Sequence, residues 1–561
     1  MDQYPASLFL PQDAYDLSTH QVLGRRVAGA QLAQSFARDL QEGEMLTVFS
    51  PGDRSGETIK KLLSNVIPTA AKVRLCDQVR PDLLAEVGAL YVPDPLIGRW
   101  TPLRQSADPW SFSLAGVIHT VCSEGSLGGL ANIPLAPLYP WDAVVCTSRA
   151  GRDVVAKAFE HRVDVMASRL NVPKPDRETL RLPQLPIIPL PIDSSQPYQP
   201  QLTREARRKH ARQALQIDAD SFVVAFIGRL SFHSKCHPSS LYRALDALAL
   251  ESASREVVLI ECGHIFNSWI ADSYDQLRTA FPRVNFRLVG GLTPATDDEK
   301  WQVLAAADVF TSPSDNLQET FGLSLLEAMV AELPLVVSDW SGYRDLVDDG
   351  RNGFLISTCD VFKHQSESDD IDSRYFLGDI DYDSMIGVRS LGVVVDHGSY
   401  LDSFRILMMN PDRCTAMARE SLDRVRRFYS AQVVAASYRR LWEQLAELRS
   451  KAALEAASST RSLPEFAPAY GSIFDHYSSS GYGELRDICI RPTRQTKEQF
   501  ESPMNQALLD QALSGRLSDI HVWIDRQESF TFDFLKEQGF SDVQALRAMA
   551  ALLKLGLSDA S

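Results

Sequence analysis

Four charged side chains in the second half of the chain have the types and spacing to handle a phosphorylated ligand. Arg229 and Lys235 are six residues apart in GRLSFHSK, just after the apolar run Phe222–Ile227. Arginine offers a planar fork of donors and lysine a point charge, a pair suited to a diphosphate. Taken singly, each is an ordinary surface cation. Glu319 and Glu327 lie eight residues apart in SPSDNLQETFGLSLLEAM, where a polar loop carrying Asn316 runs into a helix read as starting near Phe321. The first turn of that helix leaves N–H groups at Gly322 and Leu323 without intrahelical partners, and such an end attracts anions. Phosphates at those N–H groups, ribose hydroxyls on Glu327 and a sugar hydroxyl on Glu319 form one consistent arrangement. Carboxylates suit hydroxyls because each accepts two or more hydrogen bonds. Alone, Glu319 reads as a helix-start acid favoured by the dipole and Glu327 as an exposed helical acid.

The first half is less explicit. Gly24 opens GRRVAG, which has neither the Gly-Lys-Ser/Thr of a P-loop nor a full dinucleotide fingerprint. His119 ends an apolar run in GVIHTVCS, a position that by itself suits a structural histidine. Ser148 reads as a helix cap, not a nucleophile. His264 receives no role.

Parallel α/β units are needed to position these groups, because ligands collect at the carboxyl ends of parallel strands. The pattern supplies them. Strands are expected at Met45–Phe49, Val73–Leu75, Ala89–Val92, Gly116–His119, Ala143–Thr147 and Pro186–Pro191, with helices over Arg26–Leu40 and Ala150–Leu170. Residues 173–200 hold eight of the 30 prolines, which suits a last strand and a stiff linker. A second series has strands at Phe222–Ile227, Val257–Cys262, Phe286–Val289, Val309–Thr311, Leu335–Ser338 and Gly353–Ile356. Its helices include Gln302–Ala307 and Leu323–Ala331, and a long helical region covers Ser399–Ser450. The expected domains are 1–200, 201–450 and 451–561, the last a linker and a small helical extension. Residues 360–385, with eight acids and two bases, read as a solvated surface insertion. In the extension, Ser541 and Gln544 read as a capping box, Gly556 as the residue ending the helix, and Val543, Leu546, Ala550, Leu553 and Leu557 as its packed face.

Composition narrows the function classes. The 561 residues are 45% apolar and 23% charged, which argues against disorder and fibres. Lys+Arg 57 against Asp+Glu 72 gives a net charge of −15, unsuited to coating nucleic acid. No run of 18 apolar residues and no secretory leader are visible. The eight cysteines are scattered singly, as expected of reduced thiols in a cytoplasmic protein.

The pair Glu319/Glu327 in DNLQETFGLSLLEAM, together with upstream Gly228-Arg229-Leu230 and Lys235 and downstream PLVVSDWSGYRDLVDDGRNGFLI, resembles the signature of retaining family 4 glycosyltransferases. The resemblance is specific over about 222–357 and looser towards residue 1. It implies the α/β GT-B fold, with two Rossmann-like domains facing across a cleft; the small, mostly helical C-terminal extension lies outside the resemblance. It implies a nucleotide-sugar donor held mainly by the second domain and sugar transfer to a hydroxyl acceptor. Arg229 and Lys235 would neutralise the leaving diphosphate, so no metal is expected. Gly24 would approach the donor diphosphate, and His119 would face the donor sugar. Asn316, Gly322, Leu323 and Glu327 are grouped with the donor-binding residues, and Glu319 would orient the sugar without a covalent role. Another GT-B activity (phosphorylase, synthase or nucleotide-sugar epimerase) and a non-catalytic nucleotide-sugar-binding scaffold remain open at this stage. So do the acceptor, the donor base and a partner or oligomer contact through 451–561.

Overall fold

The structure is a computed structural model that describes residues 3–16, 24–53, 56–64, 72–104, 108–176, 179–193, 198–252, 255–363, 370–457, 473–478, 486–492, 502–513, 516, 518–520, 522, 529, 531–554 and 558–560. The chain divides into two compact units, Met1–Phe466 and Ala467–Ser561.

The first unit contains two six-stranded parallel sheets. One is built from β1 (Ser7–Phe9), β2 (Met45–Phe49), β3 (Lys72–Cys76), β4 (Ala89–Val92), β5 (Ser113–Val117) and β6 (Ala143–Val145), in the order β3-β2-β1-β4-β5-β6. The other contains β7 (Phe222–Ile227), β8 (Val257–His264), β9 (Asn285–Gly291), β10 (Val309–Ser312), β11 (Leu335–Ser338) and β12 (Gly353–Ile356), in the order β12-β11-β10-β7-β8-β9. Read from opposite edges, the two orders are the same doubly wound pattern. Central strands such as MLTVF, FVVAFI and LVVS are buried along their whole length, because helices cover both faces of a parallel sheet. These paired Rossmann-like sheets are the GT-B architecture that the resemblance implied.

The sequence reading changes at several places in this unit. Pro186–Pro191 forms no strand. Prolines at 186, 189 and 191 lack N–H groups, and the segment joins β6 only through bonds such as Ile188 N to Cys146 O at 3.0 Å and Cys146 N to Pro186 O at 2.9 Å. The β1 strand, too short to show a period, is missing from the sequence reading. The region Ser399–Ser450 is three helices, His397–Met409, Pro411–Arg424 and Ala431–Ala457, with a π turn at Val425–Tyr429.

The last of these helices, counted by sequence with the second half, packs on the first sheet's layer. Tyr438 meets Phe36 edge-on at 5.0 Å and Tyr91 at 5.8 Å. Arg439 bridges Asp39 and Glu44, each at 2.8 Å.

The acidic insertion is not a solvated loop. Strands β13 (Thr358–Asp360) and β14 (Val393–Val395) pair antiparallel at its base, and it carries helices Asp370–Phe376 and Tyr382–Leu391. Three of its eight acids lie in the first turns of these helices, Asp370 and Asp372 in one and Asp383 in the other, where the dipole favours them. Asp381 caps the second helix by accepting from Ser384 N at 2.8 Å, and Met385 and Ile386 are buried.

The second unit has its own core, including Ile490, Leu509, Phe532, Leu535, Met549 and Leu552. The capping box forms, with Gln544 N donating to Ser541 Oγ at 3.3 Å and Ser541 N to Gln544 Oε1 at 2.9 Å. The buried face of helix Asp542–Lys554 is Ala545, Ala548, Met549 and Leu552, while Val543 is exposed. Of the expected face, Leu546 and Leu553 are partly buried against this core, while Ala550 is exposed. Gly556 and Leu557 lie outside the described residues. Among the described residues, no helix is long and apolar enough to cross a membrane.

Candidate functional site

In the second sheet the strand order reverses between β7 and β10, which pair through Val224↔Val309 and Ala225↔Phe310. Loops leaving such neighbours diverge and open a crevice at their carboxyl ends. The loop after β7 carries Arg229 and Lys235, and the loop after β10 carries Asn316 and Glu319.

Lys235 is set by a serine turn. Its N–H donates to Ser231 O at 3.0 Å, and Ser234 N donates to Ser231 Oγ at 3.2 Å. Its Nζ then lies 2.6 Å from Glu319 Oε2 and 3.5 Å from the Tyr343 hydroxyl. Tyr343 donates to Glu319 Oε2 at 3.2 Å and is 2.8 Å from Ser312 Oγ. Phe321 N donates to Glu319 Oε1 at 3.3 Å. Burial alone would neutralise both charged groups, but each holds the other ionised. The Glu319 carboxyl stays below the usual range and the Lys235 ammonium well above its own. Lysine has three donors, so this pairing leaves Lys235 capacity for a phosphate oxygen.

Arg229 donates from Nη2 to Gln318 Oε1 at 2.8 Å and lies 5.8 Å from the Phe266 ring. Asn316 is buried as a brace between the two loops: its Nδ2 donates to His233 O at 2.6 Å and its Oδ1 accepts from Gln318 N at 2.9 Å. Its amide is therefore engaged within the protein. Gly322, at φ 113°, is the N-cap of helix Leu323–Val330, which starts where the Leu323–Ala331 reading put it and two residues after Phe321. A Cβ at Gly322 would stand 2.7 Å from the Tyr343 ring, so this glycine lets Tyr343 reach Glu319. Leu323 is the first helical residue. Glu327 points to a different cation, Lys300 Nζ at 2.7 Å, which Asp297 also holds at 2.9 Å. The structure thus brings Lys235 and Glu319 together and gives Glu327 a separate partner.

In the first half, His119 lies two residues past β5. A ring N–H is hydrogen-bonded to the Pro93 backbone, while the buried Nε2 has no partner. Burial first, and then the positive charge of Arg25, push the imidazole down to about 4 against the pull of Asp94. It is neutral at physiological pH, with Nε2 left as an acceptor. Gly24 is the first residue of helix Gly24–Arg38, and the loop before it lies outside the described residues. The close approach in this helix is made by Gly29, where a Cβ would lie 2.2 Å from Ala14 O. Ser148 caps helix Arg149–Leu170 through Gly151 N at 3.0 Å and donates to Thr320 O at 2.7 Å. Arg149 N donates to Asp345 Oδ2 at 2.6 Å. The first half therefore touches the loop that carries Glu319.

Sequence reading missed Tyr343, Ser312, Lys300, Arg25 and Asp315. Tyr343 sits in SGYRD after β11, at the carboxyl end of a strand, and that position was its signal. Asp315 accepts from His237 N at 3.0 Å, but its buried Oδ1 has no partner, and burial raises its carboxyl to about 7. Nothing in its spacing singles it out.

The chain is similar to known proteins over part of its length. Residues 207–367 match the family model described as "Glycosyl transferases group 1". A D-inositol 3-phosphate glycosyltransferase of Saccharomonospora viridis is 32% identical over 160 residues, covering 28% of this chain and 36% of that protein. The corresponding protein of Corynebacterium kroppenstedtii is 27% identical over 175 residues, covering 30% and 38%. The matched stretch thus spans little more than a third of the curated relatives' length. Among solved structures, Anabaena Alr3699/HepE in complex with UDP aligns with 17% identity over 80% of this chain and 100% of its own, at a TM-score of 0.47. A glycosyltransferase from Rickettsia africae aligns with 11% identity over 79% and 99%, at a TM-score of 0.48. The stretch that matches the group 1 glycosyl transferase model, residues 207–367, holds both loops of the charged site.

Proposed function

We propose that the protein is a retaining glycosyltransferase that moves a sugar from a nucleotide-diphosphate sugar to a hydroxyl acceptor. The observation that carries this reading is the buried Lys235–Glu319–Tyr343 network at the switch point of the second sheet, with Arg229 on the same loop as Lys235. As the anomeric bond breaks, negative charge grows on the leaving diphosphate. Arg229, Lys235 and the N–H groups at Gly322 and Leu323 are preorganised to receive it, and such fixed donors act more strongly in a closed site than in water. Because two fixed cations meet the diphosphate, the reaction proceeds without a divalent metal. Glu319, already oriented by Lys235 and Tyr343, accepts a hydroxyl of the donor sugar. His119 Nε2 accepts another from the opposite side. Glu327 takes the ribose once Lys300 yields it. The departing phosphate assists deprotonation of the acceptor on the same face, so the anomeric configuration is retained.

A thermal-shift panel of UDP-, GDP-, ADP- and dTDP-sugars tests the donor. One family of sugars is expected to raise Tm specifically. With that donor, transfer to acceptors is followed with and without EDTA, and the product's anomeric configuration is read by NMR. Unchanged rates in EDTA and a retained configuration are expected. Products formed without any acceptor would mark an epimerase or hydrolase instead. Binding without turnover over a broad acceptor panel would mark a scaffold.

A further inference from the structure

The acidic insertion touches the segment after His119 and the loop that carries Arg229 and Lys235. The Tyr382 hydroxyl lies 3.2 Å from Cys122 Sγ. Tyr375 accepts a hydrogen bond from Glu124 N at 3.0 Å. That N–H is the first of helix Glu124–Asn132, and the cap residue Ser123 uses its own oxygen on Ser126 N, so Tyr375 supplies a partner the helix end lacks. Cys122 stands three residues after His119. On the other side, a Cβ at Gly387 would lie 3.0 Å from His233 Cβ, and His233 sits between Arg229 and Lys235 on their loop. Asp383 and Tyr382 also act electrostatically on Arg229. The hairpin is fixed internally: Arg389 pairs with Asp372 at 2.5 Å and covers Phe362 at 4.2 Å. Its base is the β13–β14 ladder.

We propose that this insertion is a strap across the two Rossmann-like halves, and that Tyr375 and Tyr382 are positioning residues that tie the 119–124 loop to the 229–235 loop. Its consequence for catalysis rests on the donor reading above, while the contacts themselves do not. Both hydroxyls act on neutral partners, a backbone N–H and a thiol, so these two contacts are insensitive to salt. Holding the two loops in register keeps water from the donor while an acceptor is awaited.

The test uses the full chain carrying Tyr375→Phe and Tyr382→Phe together, which removes two hydroxyls and keeps both rings. Amide exchange is followed in peptides covering 119–126 and 229–236. Both are expected to exchange roughly fivefold faster, as the loss of two neutral hydrogen bonds allows. Faster exchange at 119–126 alone would overturn the coupling, and no change at either would overturn the strap. Tyr375→Phe alone, the milder variant, should show the same pattern more weakly. In activity, acceptor-free donor hydrolysis should rise about tenfold relative to transfer, with the donor Kd within about twofold of wild type. Equal loss of hydrolysis and transfer would reduce the tyrosines to a structural role. If the wild-type protein binds no nucleotide-diphosphate sugar, the donor reading falls, and the exchange pattern still decides the strap.

Discussion

Arg104–Asp142 in the first half and Lys235–Glu319 in the second are both buried ion pairs in domains of the same strand order, and their surroundings differ. Arg104 and Asp142 have no exposed side-chain surface. Arg104 also donates to Phe112 O at 2.8 Å, and Asp142 accepts from Leu114 N at 2.8 Å and Tyr139 N at 2.9 Å. Backbone groups close the pair on both sides, and it serves as a fixed joint between segments. Lys235 and Glu319 keep 16% and 15% of their surface, are surrounded by side chains rather than ladders, and sit where two strands diverge. A pair enclosed by backbone holds structure together. A pair that keeps an open side and spare donors is available to a ligand.

This contrast can be broken by substitution. Asp142→Ala strands a buried guanidinium and should cost about 3–5 kcal/mol in chemical denaturation. A stable Asp142→Ala protein would contradict the structural role. Lys235→Ala should instead lower turnover by about 10²–10³-fold, the range for losing one preorganised charge-stabilising donor, and Arg229→Ala should do the same. Near-normal rates for both, measured at saturating donor, would remove the second pair from the chemistry.

pH separates the halves more finely. The imidazole of His119 is depressed in the fold to about 4 from 6.5. The unfolded chain therefore binds the proton first, and the neutral burial is favourable above 6.5 and lost as pH falls towards 4. Its contribution is on the order of 3 kcal/mol. His119→Gln should flatten the stability profile in that window, and an unchanged profile would place His119 in solvent. Asp315 behaves oppositely. Its folded carboxyl is raised to about 7, so its contribution is full below about 4 and is lost as pH rises through 7. Asp315→Asn should gain about 4 kcal/mol over wild type at pH 8 and only about 1.5 kcal/mol at pH 5. Equal effects at both values would show that the carboxyl does not titrate between them.

The strands around the charged loops were legible because each is a largely apolar run of four to six residues. Phe222–Ile227, Leu335–Ser338 and Gly353–Ile356 appear with their expected bounds. β1 has only three residues, and Pro186–Pro191 has strand-like hydrophobicity without the N–H groups to use it. Arg229, Lys235, Glu319 and Glu327 were visible because their chemistry lies in residue type and in spacing from a strand or helix end. Tyr343 and Asp315 were not, since a tyrosine on a third loop and an aspartate beside a backbone N–H acquire meaning only when loops distant in sequence meet.

The insertion marks the same limit. Its charge predicted exposure, yet its tyrosines sit at the site's rim. By itself the sequence determined the alternation of strands and helices, the two α/β halves and the charged groups at strand ends, because these follow from local periodicity and covalent chemistry. Tertiary structure alone decided that Lys235 pairs with Glu319 and Glu327 with Lys300, that helix Ala431–Ala457 returns to the first half, and that the insertion reaches across to residues 122–124. Those outcomes depend on which buried surfaces and unpaired donors come within reach after packing, and no short window of residues records that.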